Sequence, residues 1–475
     1  MTACVHYQRH DDIGVIRIDN PPVNALGQAV RSGLLDALEQ GLADDAARVL
    51  VLMAEGRTFI AGADIREFGK PPRSPLLPEV IAHLEASPKP IVAALHGNAL
   101  GGGLEVALGC HLRIALPGTR VGLPEVKLGL LPGAGGTQRL PRLTGIAPAL
   151  ELITSGRLVS AEEALALGII DRISDAETPL EAALDAARAV LVGDLTTRRT
   201  GELPAPATEP QAVADCRQAL ARDCPELYSP FRALEAIEAS SRLPLDEGLA
   251  FERRRFLDCM NSPQRAGLIH AFFAARAPHR VPNVEDVPAL TRLALLGDHP
   301  LFDTFRHRAE RAGIVLSEKA EGVDACLLAP GRQCAEDETL RIAIVSPEAA
   351  DRAVNAELLL VVPAEAGCVE LVDTGAGPHH QQAVAKTLKA LRLTLVVSRG
   401  ESILARLQQT MEGAEPSSRE ALERAALDAA AGGLAYRHSD IDLLAIEALG
   451  YPRHLGGPHY QATAGASTPS SENHP

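Results

Sequence analysis

The 475-residue chain contains no tryptophan, and aromatic residues make up only 3% of it. Stacking platforms for nucleic-acid bases are therefore scarce. Basic residues are outnumbered 46 to 61, giving a net charge of −15. A phosphate-neutralising surface carries the opposite balance, so no nucleic-acid partner is expected. Lysine is rare, with six against forty arginines, a bias we attribute to GC-rich base composition. The eight cysteines form no Cys-x-x-Cys pair, which removes the common zinc and redox motifs. Unpaired thiols make the reducing cytoplasm the simplest compartment. No apolar run reaches the roughly 18 residues that a spanning helix needs. The opening MTACVHYQRHDD lacks the basic and apolar regions of a secretory signal. Tandem repeats are absent, and the forty glycines follow no triplet period.

What remains is an ordinary globular composition, 46% apolar and 23% charged. The length suggests about three domains. Buried strands are predicted at 48–55 and 89–97, and a strand pair at 112–125, with a meander at 4–18 before them. The segment 29–43 carries apolar residues at helical spacing. Ser160 with Glu163 forms a capping box that opens a helix. Strand–helix alternation of this kind indicates an α/β domain over 1–190. A Pro/Thr-rich stretch at 196–210 reads as a linker or exposed loop. Helices at 191–285 are read as a linker. A small α/β domain at 286–373 and a helical domain at 374–462 follow, and 463–475 has the composition of a disordered tail.

Three pieces of the first domain carry chemistry: FIAGADI at 59–65, HGNALGGGLEVALG at 96–109, and VGLPEVKLGLLPGAGGTQRLPR at 121–142. The second runs a buried strand through three glycines into a helix. Glycine lets backbone approach a ligand closely, and free amides at a helix start favour negative charge. Gly102 is thus placed to donate to a developing oxyanion. Glu105 lies in the first helical turn, where an acid beside such a donor suits proton transfer. Glu125 supplies a second carboxylate, and the 132–136 turn offers amides that could hold water. Taken singly, each fragment has an ordinary explanation as a tight turn or a solvated carboxylate; their combination is specific.

That combination resembles the crotonase, or enoyl-CoA hydratase/isomerase, superfamily over about residues 5–190. The resemblance rests on A-G-A-D-I, G-G-G-x-E, and P-E…L-G…P-G-A-G-G-T-Q-R-L, in order. It implies a ββα spiral fold, an oxyanion hole made by the amides of Ala63 and Gly102, and catalytic Glu105 and Glu125. It also implies a water-holding amide at Gly133, with Ala61 and Asp64 at the substrate and Arg57 and Arg66 near the CoA phosphates. The implied reaction is hydration of trans-2-enoyl-CoA, with CoA part of the substrate and no separate cofactor. Δ3–Δ2 isomerisation, a bifunctional hydratase/dehydrogenase and a non-catalytic assembly subunit are the alternatives.

Residues 225–276 and 439–462 resemble the linker and the end of multifunctional β-oxidation α-subunits, which fuse a hydratase to an NAD-dependent 3-hydroxyacyl-CoA dehydrogenase. The dinucleotide turn G-x-G-x-x-G is reduced to its first glycine: Gly297 is followed by His299 and Phe302 at the other two positions. Glu318 matches the ribose-binding acid and Glu370 a dyad glutamate. No histidine lies between His307 and His379, so the dyad's base is missing. The second half is therefore expected to be a reduced Rossmann-like domain without NAD, kept for packing or assembly. A thiolase partner subunit or a homo-oligomer is the implied assembly.

Overall fold

The computed structural model describes residues 4–466 except 68–69, 277–279, 335–338, 353–355, 365–366 and 414–418. The chain forms two compact units, Met1–Arg265 and Ala266–Pro475.

In the first unit the strands are β1 (Val5–His10), β2 (Ile13–Ile18), β3 (Val49–Ala54), β4 (Ile91–Leu95), β5 (Asn98–Leu100), β6 (Leu112–Ala115), β7 (Arg120–Gly122), β8 (Val159–Ser160) and β9 (Arg172–Ile173). Its helices are α1 (Gln28–Ala43), α2 (Leu77–Glu85), α3 (Gly102–Leu108), α4 (Gly136–Thr144), α5 (Ile146–Ser155), α6 (Ala161–Ala166), α7 (Pro179–Val192), α8 (Pro210–Asp223), α9 (Ser229–Ala239) and α10 (Leu245–Met260). One sheet has the order β1-β2-β3-β4-β6-β9, and β5-β7-β8 make a second. The β1–β2 hairpin is antiparallel, and the strands from β2 to β9 run parallel.

Side-chain alternation decides what each face of the large sheet covers. Val49, Val51 and Met53 of β3 pack with Ala182, Ala183, Ala186 and Ala187 of α7. Leu50, Leu52 and Ala54 of the same strand face the main core. Helix α6 opens as predicted, with the Ser160 hydroxyl accepting from the Glu163 amide.

Helices α8–α10 correct the reading of 191–285 as a linker. Val213, Leu220, Ala233, Leu234, Ala236, Ile237 and Cys259 are buried in the same core as β3, α3 and α5. The first unit therefore extends to Arg265, not to residue 190. The predicted loop at 196–210 is largely irregular, but it is anchored where the Gly201 amide donates to Glu85.

Helix α11 (Pro263–Arg276) spans the division between the units. The second unit then contains β10 (Arg292–Leu296), α12 (Pro300–Ala312), β11 (Val315–Ser317), β12 (Ala325–Leu328), β13 (Leu340–Val345), β14 (Leu358–Val361), β15 (Val369–Asp373), α13 (Pro378–Ala390), β16 (Leu395–Arg399), α14 (Ile403–Gly413), α15 (Arg419–Ala431), α16 (His438–Leu449) and α17 (Pro458–Ala466). Its sheet has the order β11-β10-β12-β13-β14-β15-β16. The first five strands are parallel, and β15 turns antiparallel against β14.

Two boundaries move here. Strand β16 belongs to the sheet, so 374–462 is not purely helical and is one unit with 286–373. Helix α17 continues to Ala466, past the predicted start of a tail at 463; residues 467–475 lie outside the described residues.

Candidate functional site

The strand β5 leads into Gly101, Gly102 and Gly103, and two of these positions exclude a side chain for a stated reason. Gly101 has φ +53°, and a methyl group there would come within 2.9 Å of Glu125 Oε1. A methyl group on Gly103 would lie 2.3 Å from the carbonyl oxygen of Ile60. The close approach sets the start of α3 against the 59–63 segment, and a methyl on Gly102 would be 3.6 Å from the Ala63 amide nitrogen. The amides of Ala63 and Gly102 are thus neighbours. Among the described residues neither has an acceptor. Two free amides side by side form a site for an oxyanion.

Glu105, one turn into α3, is buried. Its Oε1 accepts from the amides of Ala134 (2.7 Å) and Gly136 (2.9 Å), while Oε2 has no partner among the described residues. Burial raises its pKa, partly offset by the two amides and the charge of Arg139. Glu125 follows β7 at the start of a short 3₁₀ turn (Glu125–Leu128). Its Oε2 is buried without a partner among the described residues. Burial, and then the charge of Glu105, push the Glu125 carboxyl well above the usual range. Two carboxylates that share one enclosure and oppose each other's ionisation are suited to pass a proton between them and a substrate.

The turn after Leu131 is built differently from the sequence reading. Its amides at 134 and 136 hold Glu105 directly. The Gly133 amide has no acceptor among the described residues, and the ring of Phe256 packs so closely on Gly133 that a methyl group there would be 2.4 Å from it.

A third carboxylate, Glu252 of α10, was missed by the sequence analysis. It is 1% exposed and accepts from the Gly135 and Thr137 amides and from the Thr137 hydroxyl. A signal was available. Leu249, Glu252, Phe256 and Cys259 fall on one helical stripe, so Glu252 is a charge at a core position.

The remaining predicted residues lie as follows. Ala61 is half-buried, and its amide donates to Val23. Asp64 and Arg66 are tied to each other by bonds of 2.8–3.2 Å, with the Arg66 side chain 78% exposed. Arg57 is exposed and has no ion-pair partner among the described residues.

The predicted dinucleotide positions of the second unit lie as follows. Gly297 ends β10 beside the point where strand order reverses, which is where such a ligand sits. The side chains of Ala329 and Arg332 crowd it, since a methyl at Gly297 would be 2.8 Å from each. The first amides of α12 would grip a pyrophosphate, but His299 caps the helix by accepting from the Leu301 amide. Glu318 lies immediately after β11. Glu370 is fully buried and saturated by the hydroxyls of Ser398 and Ser402 and the amides of Ile403 and Leu404. It anchors the start of α14 and has no histidine partner.

A shallow apolar recess of about 430 Å³ in this unit includes one carboxylate, Asp324, which is already bonded to the amides of Thr291 and Arg292. Among the described residues no cluster of His, Cys, Asp and Glu is placed to hold a metal ion, and no helix is long and apolar enough to cross a membrane.

Paired amides, two enclosed carboxyl groups and a parallel sheet backed by α7 define the first unit as a crotonase fold. Residues 8–199, within the first unit, match the enoyl-CoA hydratase/isomerase family. The peroxisomal bifunctional enzyme of Danio rerio is 42% identical over 270 residues, covering 56% of this chain and 37% of that protein. Its Homo sapiens counterpart is 39% identical over 274 residues, covering 57% and 38%. The matched stretch thus spans a little over a third of the length of these relatives. A solved structure of an enoyl-CoA hydratase subunit from Geobacillus kaustophilus is 31% identical, covering 59% of this chain and 98% of that one, with a TM-score of 0.37.

Proposed function

We propose that the first unit hydrates trans-2-enoyl-CoA to 3-hydroxyacyl-CoA in fatty-acid β-oxidation, and that the second unit does not oxidise the product. The observation that carries this reading is the pair Glu105, which is buried, and Glu125, half-buried with its Oε2 enclosed, beside the amides of Ala63 and Gly102, which have no acceptor among the described residues. The thioester oxygen would accept from those two amides. Water attacks the β-carbon with Glu105 Oε2 as its base, and the negative charge moves to the thioester oxygen as an enolate. Glu125, held protonated by burial and by Glu105, delivers a proton to the α-carbon. The amides act where charge develops, which is where donors lower a barrier most.

Arg57, exposed and unpaired, is the better candidate for the CoA phosphates, because Arg66 is already tied to Asp64. The crowded Gly297 turn and the saturated Glu370 support a second unit without NAD chemistry. Two curated relatives are named as bifunctional, so this is the part of the proposal most open to test. Reducing surroundings suit the eight free thiols, and the cytoplasm is our reading. The relatives carry peroxisomal or glyoxysomal names, and cell fractionation decides between them. A thiolase subunit or a second copy is our proposed partner, to be read from co-purification and the solution mass.

The deciding experiment incubates the purified chain with crotonyl-CoA and with a long-chain 2-enoyl-CoA, with and without NAD. Loss of the enoyl absorbance without NADH supports the reading. No hydration refutes the first part, and NADH formation refutes the second. One observation favours a further activity, Δ3–Δ2 isomerisation: the unpartnered Glu125 Oε2 could shuttle a proton alone. Supplying 3-enoyl-CoA and finding the 2-enoyl product would establish it.

A further inference from the structure

The turn from Ala134 to Thr137 hangs between two carboxylates. Its amides alternate in direction. Ala134 and Gly136 donate to Glu105 Oε1, at 2.7 and 2.9 Å. Gly135 donates to Glu252 Oε1 at 2.7 Å, and Thr137 to Glu252 Oε2 at 2.9 Å. The Thr137 hydroxyl adds a 2.6 Å bond to Oε2. Gln138 continues the lock, bonding the Thr137 oxygen and the carbonyl of Ala236 on α9.

A carboxylate on the apolar stripe of α10 carries a large desolvation cost that a hydrophobic side chain would avoid. Burial, and then the charge of Glu105, push the Glu252 carboxyl up to about 8, so it sits there at an electrostatic cost. What it contributes is geometric. Four donors of one turn are divided between a carboxylate at the proposed reaction centre and one behind it.

We propose that Glu252 is a positioning residue: it holds Gly135 and Thr137 from behind, so that the Ala134 and Gly136 amides fix Glu105 with Oε2 free for the attacking water. The inference rests on the hydratase reading of Glu105. It gives α10 a part in the reaction, through a side chain that touches neither substrate nor water. A misplacement of about 1 Å in a group that orients a reactant costs on the order of 100-fold in rate.

The test compares the full-length wild type with Glu252→Gln, which is isosteric but sets an NH₂ against a donor of the turn, and with Thr137→Val, which keeps the backbone amide bond and removes the hydroxyl's bonds to Glu252 and Gln138. Hydration of crotonyl-CoA is resolved into kcat and KM, and backbone amide exchange is followed at 134–137. For Glu252→Gln we expect kcat to fall about 10- to 100-fold, KM to stay within threefold of the wild type, and exchange at Ala134 and Gly136 to quicken. Thr137→Val should show the same pattern more weakly, and it carries the test if Glu252→Gln does not fold. Unchanged kcat with unchanged exchange overturns the proposal while leaving the hydratase reading intact. If the wild type hydrates nothing, the hydratase reading fails. The clamp is then judged by exchange alone: faster exchange at 134 and 136 keeps it, and unchanged exchange removes it.

Discussion

Glu125 keeps Oε2 buried with no partner among the described residues, and that one atom organises much of the chemistry. Desolvation and the charge of Glu105 favour its neutral form. Because its pKa is higher folded than unfolded, the folded state binds more protons above the ordinary value of 4.5. Stability contributed by this group is therefore full in acid and is lost as pH rises towards the folded pKa. Glu125→Gln, which cannot ionise, should equal the wild type in thermal midpoint in acid and exceed it increasingly as pH rises; a melting series against pH checks this. In turnover, Glu105→Gln or Glu125→Gln should each lower kcat by about 10²- to 10⁴-fold, the range of a general acid–base step. Wild-type rates in either variant would remove that residue from the mechanism. Both glutamates were legible in the sequence because glycines and carboxylates stood at short, specific spacing. Glu252 shows in the sequence only as a charge on an apolar stripe, and its role does not, because its partners Gly135 and Thr137 lie more than a hundred positions away.

At the scale of elements, α8–α10 matter most. Read along the chain they are ordinary amphipathic helices between two α/β stretches, and a linker is the natural inference. Packing decides otherwise, since Leu234, Ile237 and Cys259 are 0% exposed within the core of the first unit. A fragment of residues 1–265 should therefore be soluble and unfold cooperatively. A fragment ending at 199 should aggregate, because it exposes the apolar surface that these helices cover; size-exclusion and melting measurements separate the two. Glu370 supplies a second test at this scale. Glu370→Ala would strand two hydroxyls and two amides at the start of α14, at about 1–3 kcal/mol for each buried group left unsatisfied. We expect a lower midpoint for the second unit with hydration unchanged, whereas a catalytic dyad glutamate would show itself in NADH formation.

At the scale of the whole molecule, the proposal pairs a hydratase unit with a second unit that does not use NAD. On the face formed by Ala294, Cys326 and Leu328, the second unit's cover comes from Ala320, Val323 and Cys334 in short loops. The chain between β11 and β12 is too short to supply a helix there. Titration of the full chain with NAD should give no heat of binding, and 3-hydroxyacyl-CoA with NAD should give no NADH. Saturable NAD binding would mean that Arg332 and the Gly297 turn rearrange to admit it.

The sequence by itself determined the α/β class and the local settings of Glu105 in the first turn of α3 and of Glu125 after β7, because these depend on local periodicity and on close-set glycines and acids. Only the tertiary structure decided that α10 belongs to the first unit, that β16 joins the second sheet, and that Glu252 grips the turn holding Glu105. Those outcomes depend on which distant surfaces bury one another and which distant donors meet a buried charge, and neither is set by spacing along the chain.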